Sequence, residues 1–195
     1  MRARRIVLFI FLLLISVVFY GCQKESSNAS VDAESLIKNM KTYEVDATIT
    51  FLKDTQPNVI KMKQRAEVGG AYTMTIESPE HLKGYQVSYE NNEVIEYNPI
   101  TKTSFKGKVL TARNEVLLGS FIAHYLEGSA AKKEETTLNG KKTTCFETMI
   151  PGDYKYMANE KLWFDETTKT PIKMEITGVD GSTSILIEFE NFKHN

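Results

Sequence analysis

Apolar and polar residues alternate one by one through most of this chain. Tyr43, Val45, Ala47, Ile49 and Phe51 interleave with Glu44, Asp46, Thr48 and Thr50, which predicts a strand with one wet face. Ile60, Met62, Ala66 and Val68 then alternate with Lys61, Lys63, Arg65 and Glu67. Gly69-Gly70 turns the chain, and Tyr72, Met74 and Ile76 return. Tyr85, Val87 and Tyr89 lead into Glu90-Asn91-Asn92, and Val94 to Tyr97 come back. Asn98-Pro99-Ile100-Thr101 turns toward a short strand near Ser104-Phe105. From Lys132 onward the pattern is all strand and turn. Asn139-Gly140 is the strongest hairpin signal, and Asp180-Gly181 turns Ile172, Met174 and Ile176 into Ile185, Ile187 and Phe189.

Two stretches switch to the helical period. Ala33, Leu36, Ile37 and Met40 form one stripe behind Asp32, a cap, with Glu34 in the first turn. After Asn114, expected to cap a second helix, Leu117, Leu118, Phe121, Ile122, Tyr125 and Leu126 make a broad apolar face that stops at Gly128. About eleven strands and two helices without βαβ crossovers exclude a parallel sheet. The expected fold is α+β, a long, curved antiparallel meander whose inner face is closed by the helices.

Composition changes this picture little. With 24 basic and 25 acidic residues among 195, the chain has a formal charge of −1, which argues against nucleic acid as a partner. The amino terminus changes it more. Arg2, Arg4 and Arg5 precede an unbroken apolar run from Ile6 to Tyr20, the pattern of a secretory signal. The run is shorter than the roughly 20 residues of a bilayer span. Gly21-Cys22 at its end resembles the lipobox of bacterial lipoproteins, although Phe19 and Tyr20 depart from the usual residues before the Gly. That resemblance implies cleavage after residue 21 and a diacylglycerol on the Cys22 thiol; an uncleaved signal anchor is the alternative. Residues 22–31 then serve as lipid anchor and polar tether, and 32–195 as a single domain on the outer face of a bacterial membrane. Fully extended, the stretch from Gln23 to Ser30 reaches roughly 25–30 Å.

Candidate chemistry is sparse. His81, His124 and His194 are isolated in sequence, with no HExxH, no zinc-spaced Cys/His cluster, no GxSxG and no P-loop. His124 is expected at the edge of the helical stripe as a half-exposed packing residue, His194 in a disordered terminus, and His81 in a loop. Cys145 sits in a strand and reads as a small half-buried residue rather than a nucleophile. No catalytic, cofactor-binding or metal-binding residues are expected, and no enzymatic activity. Tyr85, Tyr89, Tyr97, Tyr154, Tyr156 and Trp163 are more polar-tipped aromatics than a core requires. Most suit strands, but Tyr154 and Tyr156 follow Pro151-Gly152 in a solvent-reachable loop and are the expected partner contacts. The edges of an open sheet offer a homodimer by strand pairing or strand exchange.

The order of elements resembles the LolA/LolB-like lipoprotein superfamily over roughly residues 33–192. The likeness is carried by Leu82-Lys83-Gly84-Tyr85 through Tyr97-Asn98-Pro99, by Leu162-Trp163-Phe164-Asp165, Pro171-Ile172-Lys173-Met174, and by Phe189-Glu190-Asn191-Phe192. It implies an open half-barrel with helices on the concave side. Size, tether and the terminal Asn-Phe-Lys resemble the clostridial spore germination lipoproteins. These imply a non-catalytic partner that binds and activates a cell-wall amidase of the N-acetylmuramoyl-L-alanine type acting on spore cortex peptidoglycan. Carrier members imply the alternative, lipid or lipoprotein binding in the concave cavity. A continuous apolar cleft of at least several hundred Å³ would mark the carrier; a filled core would favour the partner.

Overall fold

The computed structural model describes residues 32–53, 56–109, 114–128 and 131–195; the expected signal segment, Cys22 and the tether lie outside these. Helix α1 (Ala33–Asn39) begins where its sequence asks it to, with the Asp32 carboxylate accepting the Ser35 N–H at 2.6 Å. Its stripe of Ala33, Leu36 and Ile37 is buried.

Strands β1 (Thr42–Phe51), β2 (Asn58–Glu67), β3 (Tyr72–Ser78), β4 (Gln86–Glu90), β5 (Glu93–Asn98) and β6 (Thr103–Lys108) follow as an antiparallel meander. After helix α2 (Leu118–Glu127) a second meander comprises β7 (Lys132–Leu138), β8 (Lys141–Met149), β9 (Asn159–Asp165), β10 (Thr170–Thr177) and β11 (Thr183–His194). Pairing of β1 with β11 joins them into one open, curved sheet of 11 strands, ordered β6-β5-β4-β3-β2-β1-β11-β10-β9-β8-β7. The strands richest in inward apolar residues thus lie at its centre. Tyr43, Val45, Ala47 and Ile49 of β1 pack beside Ile185, Ile187 and Phe189 of β11, and the helices cover them.

Turns follow local chemistry. Asn139 and Gly140 take φ of 52° and 79°, and Asn91-Asn92 take 53° and 62°, both positive as a two-residue hairpin turn of matching twist requires. Asn191, at φ 54°, marks the bulge where β11 slips against Glu44 and Asp46, and its amide donates to Asp46 at 2.7 Å.

Four expectations are corrected. Asn114 does not cap α2, which starts at Leu118; the Asn114 carbonyl instead accepts the Leu117 N–H in a preceding turn. Leu126 is exposed, unlike Phe121, Ile122 and Tyr125 of the same expected stripe, which are buried. His194 is ordered in β11 opposite Tyr43, with its ring stacked on Phe192, because Asn195 exchanges backbone hydrogen bonds with Thr42. Ile172 does not share the inward face of Met174 and Ile176, because a register shift between Pro171 and Lys173 breaks the alternation.

Candidate interaction surface

The loop between β8 and β9 carries both aromatic residues singled out from sequence. Its ends are closed by the Ile150 N–H to the Ala158 carbonyl (2.9 Å) and the Ala158 N–H to the Thr177 carbonyl (2.7 Å). Met157 packs against the core, which fixes the loop from below. Tyr154 and Tyr156 remain 42% and 51% exposed. Gly152, at φ 118°, is needed because a Cβ there would stand 2.6 Å from the Tyr154 ring.

Two neighbouring segments complete the surface. The Val179 N–H donates to the Lys155 carbonyl at 3.1 Å, bringing the β10–β11 turn alongside. Lys53, just past β1, donates to the Ser182 hydroxyl at 2.6 Å, and its Nζ lies 5.9 Å from the Tyr156 ring centre; Lys155 Nζ is 5.1 Å from the same ring. Leu52, Met149 and Val179 are exposed at the same end of the sheet. The Asp180 carboxyl is held below its ordinary value by the Ser182 hydroxyl and N–H. This end therefore presents apolar and aromatic faces beside the charged Lys53, Lys155 and Asp180, the composition of a protein-binding patch.

The other aromatics serve the sheet. Tyr85 donates to Glu96 at 2.6 Å, Tyr89 stacks on Tyr72, and Trp163 lies under Lys173 with Nζ 5.0 Å from its ring. Cys145 is half-buried, and burial pushes its thiol up to about 11, so it is protonated at neutral pH. His81 lies exposed in a 3₁₀ turn, Glu80–Leu82.

One polar cluster escapes sequence reading. His124 on α2 places Nδ1 2.7 Å from Glu160 Oε1 and Nε2 3.8 Å from Glu115 Oε2. Glu160 is fully buried on β9, at a position alternation reserves for an apolar residue. These donors all lie within 4.8 Å of one another and are of the types that a divalent ion takes, so the three residues could hold one. The signal that could have found them is Glu160 itself, a carboxylate in phase with the inward-facing Leu162 and Phe164.

Where the helices lie on it, the concave face is filled. Ile37, Leu118, Phe121, Ile122, Phe146 and Phe164 are wholly buried between helices and sheet. A cleft of about 860 Å³ opens instead at one end of the strands, lined by Glu44, Arg65, Glu67, Glu90, Glu93 and Lys106 among others. Those charges suit water or polar groups, while Tyr43, Ala66, Tyr72, Tyr89 and Ile95 give the same cleft an apolar wall. No helix among the described residues is long and apolar enough to cross a membrane.

Comparison with known proteins agrees with this architecture. The structure of the CwlD amidase from Clostridioides difficile in complex with the GerS lipoprotein matches at TM-score 0.55 and 24% identity, covering 89% of this chain and 98% of the matched one. An uncharacterized conserved protein from Thermus thermophilus matches at TM-score 0.52 and 11% identity, over 82% of each chain. The LolA superfamily protein NE2245 from Nitrosomonas europaea matches at 0.43 and 10%, over 85% of this chain and 94% of its own. No curated protein matches the sequence. The first two of these structures share the fold, an open curved antiparallel sheet with helices on one face. A family model described as sporulation protein YdcC-like aligns with residues 2–195, and the chain belongs to that family.

Proposed function

We propose that this protein is a non-catalytic, membrane-anchored lipoprotein that binds and activates a peptidoglycan amidase of the spore cortex, in support of cortex modification and germination. The observation that carries the reading is the filled concave core, set against the exposed aromatic loop at the end of the sheet. A carrier has to hold acyl chains where Phe121, Phe146 and Phe164 already pack. A docking protein needs rigid, amphipathic side chains on its outside, and Tyr154 and Tyr156 supply them. The sporulation family and the fold shared with a structure containing an amidase and a lipoprotein agree with it.

An activator without catalytic groups works only by binding the active state of its partner more tightly than the inactive one. The aromatic loop is the contact through which that preference is exerted. Lipidation at Cys22 would hold the pair at the membrane and raise the local concentration of each for the other. The alternative, lipid carriage, would have to place acyl chains in the mixed polar and apolar cleft at the strand ends.

The test mixes the full chain in detergent with a sporulation amidase and records complex formation and the rate of release of stem peptides from cortex peptidoglycan. Complex formation with a raised rate is expected, and replacing Tyr154 and Tyr156 together by alanine should weaken binding about tenfold or more. No complex, together with co-purified lipid, would replace this reading by the carrier; turnover by the chain alone would replace both.

A further inference from the structure

We propose that the open edge of β6 is a strand-addition site for an extended partner segment in which acidic and apolar residues alternate. Among the described residues the sheet ends in β6 on one side and β7 on the other, and the two edges differ in chemistry. Strand β7 opens with Lys132, Lys133, Glu134 and Glu135, charges of both signs, and Lys133 is tied to Glu34 of α1 at 3.0 Å. That edge is protected in the usual way. Strand β6 instead exposes 68% of Phe105, and Ile100 in the preceding turn is 73% exposed. The segment from Thr101 to Lys108 contains Lys102, Lys106 and Lys108 and no acid, although the chain as a whole is slightly acidic.

The backbone register defines what the edge offers. The Val109 N–H donates to the Asn92 carbonyl at 3.0 Å, and the pairing continues through Glu93 opposite Lys108 to Asn98 opposite Thr103. Antiparallel ladders alternate, so Thr103, Phe105 and Gly107 direct their N–H and C=O groups at β5, while Ser104, Lys106 and Lys108 direct theirs outward. The side chains of Ser104, Lys106 and Lys108 share one face with Tyr97, Ile95 and Glu93; Phe105 occupies the other, beside Glu96. An added strand therefore meets lysines on one face and a phenylalanine on the opposite face, at a spacing of two residues.

Charge selects the occupant. Glu93 already bridges Lys106 at 2.5 Å, which leaves Lys108, on the same outer strand and face, to meet an added segment. A second copy of β6 would bring lysine opposite lysine, which is destabilising. A segment with glutamate or aspartate on that face and valine- or phenylalanine-like residues on the other satisfies both sides, and main-chain hydrogen bonds to Ser104, Lys106 and Lys108 fix its register. This surface is independent of the tyrosine loop and of any amidase.

The experiment uses fluorescence anisotropy with the full chain in detergent and a fluorescein-labelled nonapeptide alternating glutamate with valine. A mirror peptide with lysine for glutamate is the control. The acidic peptide should bind at least about tenfold more tightly than its mirror and weaken with salt. Ser104→Pro removes one outward N–H without touching the β5 ladder and should abolish binding at an unchanged melting temperature. Lys108→Glu, which needs no backbone change, should shift preference toward the lysine peptide. Equal affinity for the two peptides, undiminished binding by both variants, or a dimer of the chain that Ser104→Pro dissociates would overturn the proposal.

Discussion

The side-chain oxygen of Gln64, on β2, accepts the backbone N–H of Leu118 at 3.3 Å, so a strand residue caps the helix that lies across it. Its amide nitrogen donates to the Val116 carbonyl at 2.9 Å, and the neighbouring Tyr43 hydroxyl accepts the Gly119 N–H at 2.9 Å. Leu117, at the N-cap position, has no side chain for this task. Burial pushes the Tyr43 phenol up, which keeps its proton and its donor to Gln64 in place. Replacing Gln64 by leucine strands the buried Leu118 N–H and the Val116 carbonyl and should cost about 1–3 kcal/mol. Urea unfolding checks this: an unchanged midpoint would mean that the helix finds its cap elsewhere.

Glu160 and His124 should behave as a coupled pair. Removing one member leaves the other buried beside Glu115, whereas replacing both removes the mismatch. Glu160→Leu alone is expected to destabilise by about 3–5 kcal/mol, and the double change Glu160→Leu with His124→Leu by less. A double-mutant cycle measures the difference, and strict additivity would show that the contact contributes nothing.

Cys145 should react slowly in the native protein. Its thiol is raised from 9.0 to about 11, so at pH 8 it carries about a hundredfold less thiolate than in the unfolded chain. Ellman's reagent should modify it far more slowly before denaturation than after, and Cys145→Ser should leave amidase stimulation intact.

Acid should destabilise the fold in a defined window. The Glu34 carboxyl is lowered from 4.5 by Lys38 and Lys133, that of Glu44 by Arg65, and that of Glu166 by Lys169 and Thr144. For Asp165, burial raises the carboxyl, but the Thr168 and Thr167 N–H groups and Lys141 outweigh it and leave it below 3.8. Folded values below unfolded ones mean that these groups stabilise above their ordinary range and lose that contribution as pH falls through the folded values. Each surface pair is worth little alone. The urea midpoint should fall progressively below about pH 4.5, and Glu166→Gln should make the decline shallower; an equal slope in that variant would remove Glu166 from the account.

Much of the fold was legible because alternation reports burial residue by residue. The inward set of β1, the cap at Asp32 and the Asn139-Gly140 turn each depend on neighbours within a few positions. The two exposed tyrosines were legible for the same reason, since Pro151 and Gly152 break the strand before them. Asn114 misled because it has the chemistry of a cap and stands just ahead of an apolar stripe, while the actual acceptor lies 54 residues away on β2. The Glu115–His124–Glu160 cluster was hidden likewise, with 36 residues between His124 and Glu160.

By itself the sequence determined which residues turn inward, where the chain reverses, and that helices must cover a sheet. Tertiary structure alone decided that β1 pairs with β11, that α2 is capped from beneath, that polar groups meet inside, and that β6 ends the sheet among the described residues. The reason is physical: periodicity expresses the preference of one face for oil over water, which any partner surface can satisfy. Hydrogen bonds and charges are directional, so their partners exist only once strand register and helix placement are fixed.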